Sequence, residues 1–181
     1  YNLGIIYFDG KLIPGDINKA IHYFSLASDQ DDADAQYNLG LIYSSGRYIQ
    51  IDIQKGIHYL LLASNKNHLL SQCFLGDLYL SGKKISFDIN KAIYYFSLAA
   101  SQDDPYAQLK LGKIYSEGKY IERDMNKAIH YFTESANQND IEAQLILGKI
   151  YLNGELVLRD INKSINYLTL AAEQNQEEAQ R

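Results

Sequence analysis

Apolar residues along the chain fall into paired short segments at helical spacing. In the segment that ends at Gly46, Ala35, Leu39, Ile42 and Tyr43 lie at offsets of four, three and one, which places them on one helical face. From residue 53 a second set, Ile53, Ile57, Leu60 and Ala63, recurs at offsets of four, three and three. It starts just after Asp52, whose carboxylate can accept hydrogen bonds from the free backbone N–H groups of a first helical turn. The pattern therefore predicts a first helix, A, and a second, B. The loop over 46–51 that joins them opens on a glycine suited to the positive φ of a helix C-terminus.

The same pair returns every 36 residues. Leu3-Gly4, Leu39-Gly40, Leu75-Gly76, Leu111-Gly112 and Leu147-Gly148 align without insertion or deletion. Three residues after each glycine stands Tyr7, Tyr43, Tyr79, Tyr115 or Tyr151, followed by Gly10, Gly46, Gly82, Gly118 or Gly154. Asp16, Asp52, Asp88, Asp124 and Asp160 then recur, with Lys19, Lys55, Lys91, Lys127 and Lys163 three positions on and Tyr23, Tyr59, Tyr95, Tyr131 and Tyr167 closing the unit. Ten of the 16 tyrosines thus occupy two repeat positions, which marks them as structural. After helix B, Asp31, Asn67, Asp103, Asn139 and Asn175 share one position, and Asp or Asn accepts a left-handed backbone better than other non-glycine residues. The array divides into a partial repeat at 1–31, full repeats at 32–67, 68–103, 104–139 and 140–175, and the start of another at 176–181. The glycine inside each helix A costs about 1 kcal/mol against alanine. Its expected compensation is the close approach of a neighbouring helix backbone, so Gly76→Val should clash.

Composition narrows the class. The chain is 46% hydrophobic and 22% charged, enough to bury a core. Its formal net charge of -5 argues against a grip on nucleic acid or anionic lipid. With one cysteine, Cys73, neither an intrachain disulfide nor a CxxC metal knuckle can form, which points to a reducing, cytoplasmic setting. No apolar run approaches the roughly 20 residues needed to span a bilayer, so no membrane insertion is expected. The chain opens inside a helix A and closes in the opening of another, which reads as a fragment of a longer array.

The string Leu-Gly-x-x-Tyr-x-x-Gly, a loop, then Asp-x-x-Lys-Ala-x-x-Tyr-x-x-x-Ala-Ala resembles the Sel-1-like repeat, a relative of the tetratricopeptide repeat. Leu111, Gly112, Tyr115, Gly118, Asp124, Lys127, Ala128 and Tyr131 follow it most closely, and Ala99-Ala100 and Ala171-Ala172 carry the paired alanines. The 36-residue period and long A–B loop favour this form over the 34-residue tetratricopeptide unit. The family's second loop glycine is replaced by Leu12, Tyr48, Lys84, Tyr120 and Leu156, while Ile13, Ile49, Ile85, Ile121 and Val157 can still tuck the loop onto the core. The resemblance implies an all-α, right-handed α-solenoid of stacked αα-hairpins that acts as a non-catalytic adaptor for a protein or peptide, without cofactor.

Candidate chemistry is sparse. His22, His58 and His130 share one position in stacked repeats, roughly 8 to 10 Å apart, too far to bind one metal. His68 lies in an inter-repeat turn without an obvious partner, and Cys73 stands where other repeats carry Tyr37, Leu109 and Leu145, a packing position. Phosphate-loop, zincin and nucleophile-elbow signatures are lacking. Recognition falls to what fails to repeat. On helix A, opposite the Leu-Tyr stripe, the variable residues include Leu41, Leu70, Phe74 and Asp77, then Tyr106, Lys110, Lys113, Ile146 and Lys149. In a right-handed solenoid the A helices line the concave surface. This face then predicts a groove for a segment with one apolar end and one acidic end. The competing readings are a regulatory extension of an enzyme domain and a secreted hydrolase.

Overall fold

The computed structural model describes residues 1–10, 14–154 and 157–179, with side-chain surroundings given through 174. Leu12, Ile13 and Leu156, on which loop expectations fell, lie outside the described residues. Among the described residues the chain is all-α, a succession of αα-hairpins of the α-solenoid class. The A helices are α1 (Asn2–Asp9), α3 (Ala33–Ser45), α5 (Leu69–Ser81), α7 (Pro105–Glu117) and α9 (Ile141–Asn153). The B helices are α2 (Ile17–Ser28), α4 (Ile53–Ser64), α6 (Ile89–Ala100), α8 (Met125–Asn137) and α10 (Ile161–Ala179). Two compact units divide the chain, Tyr1–Leu98 and Ala99–Arg181.

The start signals act as the sequence predicts at helix B. Backbone N–H groups of Lys19, Lys55, Lys91, Lys127 and Lys163 donate to the carboxylates of Asp16, Asp52, Asp88, Asp124 and Asp160 at 3.0 to 3.1 Å. Each such aspartate also returns the chain to helix A, its own N–H donating to the carbonyl of the first-row tyrosine, as Asp52 does to Tyr43 at 2.9 Å. Helix A has caps the sequence reading passed over: Asp32, Asp104 and Asp140 accept from Ala35, Ala107 and Ala143 at 2.7 to 2.8 Å. Asp31, Asn67, Asp103 and Asn139 take φ of 59 to 66°, the left-handed turn expected of them. Asn175 does not: α10 runs through it to Ala179, so the turn expected there is absent.

The core forms where helices A and B of one hairpin meet and, within each unit, where successive hairpins stack. In the first unit Phe24, Leu39, Ile42 and Ala20 are buried together, and Leu60, Leu75 and Leu78 form a second cluster. In the second unit Phe132, Leu147, Leu109 and Ala128 do the same. Full burial of such side chains contributes about 1.5 to 3 kcal/mol each. Ile49 and Ile85 pack the A–B loops onto these clusters, as expected.

The helix-A glycines are explained by side chains more than by backbone approach. A Cβ on Gly76 would lie 2.7 Å from the Phe96 ring; at Gly112 and Gly4 it would meet Phe132 and Phe24 at 2.5 and 2.6 Å, and at Gly148 it would meet Leu168 at 2.7 Å. Each of these glycines is a socket for a helix-B side chain of its own repeat. At Gly40 backbone approach is added, 3.3 Å from the Gly56 carbonyl, where helix B carries a glycine of its own.

Candidate functional site

The recurring residues are consumed in holding each repeat together. The two tyrosine rows stack pairwise within a repeat: Tyr7 on Tyr23, Tyr43 on Tyr59, Tyr79 on Tyr95, Tyr115 on Tyr131 and Tyr151 on Tyr167, with centroids 5.7 to 6.2 Å apart and planes within 13°. Over the helix-A ring of each pair lies the repeat's lysine, Nζ 4.2 to 5.1 Å from the centroid. The hydrogen bond from Lys55 to the Tyr43 hydroxyl is the main reason its pKa rises above the ordinary lysine value. Charge, ring and cap thus form one device that sequence reasoning saw only as separate conserved-spacing rows.

A buried glutamine row was missed. Gln36, Gln72, Gln108 and Gln144 are buried on helix A, and Gln36, Gln72 and Gln144 donate from Nε2 to the carbonyls of Ser28, Ser64 and Ala136 at the end of the preceding helix B. Gln138 and Gln174 donate in turn to Oε1 of Gln108 and Gln144 at 2.8 and 2.9 Å. At the position of those donors the first full repeat has Lys66, which pairs instead with Asp31 at 3.1 Å, and Gln36 Oε1 is left buried without a partner. The 36-residue recurrence of Gln36, Gln72, Gln108 and Gln144 was the available signal.

The nine predicted contact residues divide between the units. In the first, Leu70 is exposed, Leu41 and Asp77 are half-buried, and Phe74 packs on its inner side against the Leu60–Leu75–Leu78 cluster. Phe74, Asp77, Leu78 and Ser81 line a cavity of about 270 Å³ with Lys83 and Lys84. In the second unit Tyr106 and Lys149 are exposed and Ile146 joins the core by one side. The three lysines are not equally available there. Lys113 donates to Glu142 at 2.7 Å, and the Lys110 ammonium sits 4.8 Å from the Tyr106 ring centroid, which leaves the face less cationic than its sequence suggested.

His68, expected to lack a partner, has several. It caps α5, Nδ1 lying 3.2 Å from the Ser71 nitrogen and 3.0 Å from Ser71 Oγ, and its Nε2 donates to Asp34 Oδ1 at 3.1 Å. An aspartate–histidine–serine line has the connectivity of an activated nucleophile. Ser71, however, is fully buried, and Nδ1 is the acceptor that caps the helix, so no substrate carbonyl reaches Oγ. The ring also lies 4.9 Å from that of Tyr37. Burial, and after it the adjacent Cys73, push the Tyr37 hydroxyl above its usual pKa. Cys73 itself is buried, in keeping with a packing role. His22, His58 and His130 are exposed, each with its ring against the tyrosine that follows. Among the described residues no group of histidine, cysteine, aspartate and glutamate side chains could hold a metal ion, and no helix is long and apolar enough to cross a membrane.

Known structures share this architecture. The chain is similar to c5321, described as a protective antigen present in uropathogenic Escherichia coli strains and displaying an SLR fold, at 29% identity and a TM-score of 0.89 over 96% of this chain and 37% of that one. The chain therefore spans well under half of that antigen. It is also similar to a Sel1 repeat protein from Oxalobacter formigenes, at 30% identity and a TM-score of 0.80, covering 96% of this chain and 71% of that one. Helicobacter pylori cysteine rich protein B matches at 30% identity and a TM-score of 0.57, over 76% of this chain and 99% of that one. Comparison with curated proteins gives no match. Sel1 repeat proteins generally mediate protein–protein interactions as non-catalytic scaffolds. The Sel1 repeat profile fits residues 1–32, 33–68, 69–104, 105–140 and 141–176 in succession, and the chain belongs to the Sel1 repeat family.

Proposed function

We propose that the chain is a protein-binding scaffold whose irregular helix-A residues make the contact with a peptide or protein segment. One observation carries the reading: tyrosines, lysines, aspartates and glycines at the recurring positions are spent on stacks, caps and sockets, whereas Leu70 and Tyr106 stand exposed on helix A at a position whose residue changes from repeat to repeat. Large exposed apolar and aromatic side chains are the usual anchors of recognition. In the first unit Leu41, Leu70 and Phe74 offer an apolar surface beside Asp77. In the second, Tyr106, Lys110, Ile146 and Lys149 offer an aromatic and cationic one, suited to a segment bearing carboxylates.

The test places a photo-crosslinking residue at Leu70, at Tyr106, or on the helix-B row at His22 and His58, and analyses the captured protein by mass spectrometry. Helix-A probes should capture a specific protein, and Leu70→Asp or Tyr106→Ala should abolish that capture while the fold is retained. Capture of the same protein from the helix-B row alone removes the helix-A face from consideration.

A further inference from the structure

The A–B loop edge of the first unit carries a feature apart from the helix-A face. A cavity of about 700 Å³ opens between the loop that follows α5 and the side of α4. Its apolar wall is formed by Ile57, Ile85 and Phe87, the last exposed to 41% of its surface. Three lysines, Lys83, Lys84 and Lys91, line it against a single carboxylate, Asp88. A cationic cavity is notable on a chain whose net charge is -5.

The cavity is built in advance of any ligand. Gly82 ends α5 at φ 62°, and a Cβ there would lie 2.9 Å from the Phe87 Cβ, so the glycine lets the loop fold back on itself. The Asp88 N–H closes the loop on the Tyr79 carbonyl at 3.1 Å. Lys84 Nζ donates to the last carbonyls of α3, 2.7 Å to Ser44 and 3.4 Å to Ser45, where the helix dipole favours a cation. An ammonium has three hydrogens, so one remains for a ligand. Lys91 is held over the Tyr79 ring and 3.8 Å from Asp88, whose other oxygen caps α6. Lys84 and Lys91, already held in place, lower the ordering cost of binding.

The corresponding loops do not repeat this combination. Where the third loop has Lys84, Ser86 and Phe87, the second has Tyr48, Gln50 and Ile51, and the fourth has Tyr120, Glu122 and Arg123. In the fourth, Arg123 is turned to the Glu117 carbonyl. Of these three loops the third alone joins an aromatic at this position, Phe87, to a lysine at 84, while Lys83 and Lys91 have counterparts in Arg47 and Lys55 and in Lys119 and Lys127.

We propose that this loop cavity is a docking site for an acidic peptide segment of a protein partner, one apolar side chain seated on Ile57, Ile85 and Phe87 and flanking carboxylates facing Lys83 and Lys91. The site stands independently of the helix-A face, although Lys83 and Lys84 also line the smaller cavity beside Phe74. Phe87 belongs to the larger cavity and Phe74 to the smaller, and this separates the two sites experimentally.

The experiment is fluorescence anisotropy with labelled, end-blocked hexapeptides of glutamate and leucine, compared with the same peptides carrying lysine for glutamate or serine for leucine. Wild-type protein should bind the glutamate–leucine peptides, more weakly as salt is raised, and prefer them to both comparison sets. Phe87→Ala and Lys83→Glu should each weaken binding about tenfold or more, equivalent to about 1.4 kcal/mol. Phe74→Ala should leave it unchanged, whatever becomes of the helix-A face. Circular dichroism checks the fold, and should Phe87→Ala not fold, Lys83→Glu decides alone. Equal binding of the lysine peptides, no binding of any glutamate–leucine peptide, or wild-type affinity in Lys83→Glu overturns the proposal.

Discussion

Replacing glycine by alanine inside a helix ordinarily stabilises it by about 1 kcal/mol. At Gly76 the sign should reverse. The Phe96 ring atoms stand 2.7 to 2.9 Å from the position of the new Cβ, and Phe96 is itself fully buried and has no space to retreat into. Overpacking of this kind costs about 1 to 3 kcal/mol. Gly76→Ala should therefore lower stability in urea titration and Gly76→Val should lower it further; a stabilised alanine variant would show that the ring moves aside freely. A gain is expected instead at Lys66→Gln. That substitution supplies the donor that Gln108 and Gln144 receive from Gln138 and Gln174, and it satisfies the buried Gln36 Oε1. An unpartnered buried acceptor costs about 1 to 3 kcal/mol. The exposed Lys66–Asp31 pair given up contributes about 0 to 1 kcal/mol. Thermal denaturation should show a higher midpoint for the glutamine variant, and an unchanged or lower one would mean the orphaned oxygen is met in some other way.

At the scale of the element, helix B is set by its aspartate cap and by the lysine that reaches back over the tyrosine pair. The backbone hydrogen bond from Lys127, more than the nearby ammonium, holds the Asp124 carboxyl below its ordinary pKa. A depressed folded-state pKa contributes stability that is present above the unfolded value, here 3.8, and is lost as pH falls through the folded one. Asp124→Asn, which keeps a cap but cannot titrate, should flatten the loss of stability below about pH 4. An identical acid limb in both proteins would refute the assignment. The lysine is open to a double-mutant cycle. Tyr79→Leu combined with Lys91→Met should give a coupling of about 0.5 to 1 kcal/mol, the value of an exposed cation–π contact. The 3.8 Å, solvent-facing Lys91–Asp88 pair should give less. The helices themselves were legible because Leu, Tyr, Gly and Asp recur at helical offsets, which fixes both the face and the ends. The contacts made by recurring polar residues were not legible. Recurrence of Gln36 or Lys55 shows that a position matters, but whether a side chain meets a carbonyl or a ring depends on the neighbouring helix. Asn175 failed as a stop for a related reason: Asn67 and Asn139 turn in front of a capped helix A, and its own identity is the same as theirs while α10 continues past it.

Within each unit, stability is distributed by neighbourhood, because a hairpin buries its core against the hairpin beside it. The same logic decided how far the candidate surface could be read. Subtracting the recurring residues left Leu41, Leu70, Phe74 and Tyr106 as candidates, but it could not show that Glu142 draws off Lys113 or that Lys84 caps α3, since both contacts bridge residues 29 and 40 positions apart. Nearest-neighbour coupling also predicts how damage spreads. Leu147 is fully buried in the second unit with Leu109, Phe132 and Ala143. Leu147→Ala should cost about 2 to 5 kcal/mol by the methyl groups removed and the cavity left behind. If hairpins are coupled chiefly to those beside them, that loss is felt first by α8, α9 and α10, whose native-state hydrogen exchange should accelerate most. Amides of α3 and α4, whose cores are formed by Leu39, Ile42 and Leu60, should keep nearly wild-type protection. Exchange measured helix by helix distinguishes this from a single cooperative transition, in which protection would fall by one common factor everywhere. The common factor would mean that a contact at one repeat constrains them all, and that a partner bound to one hairpin is felt along the entire chain.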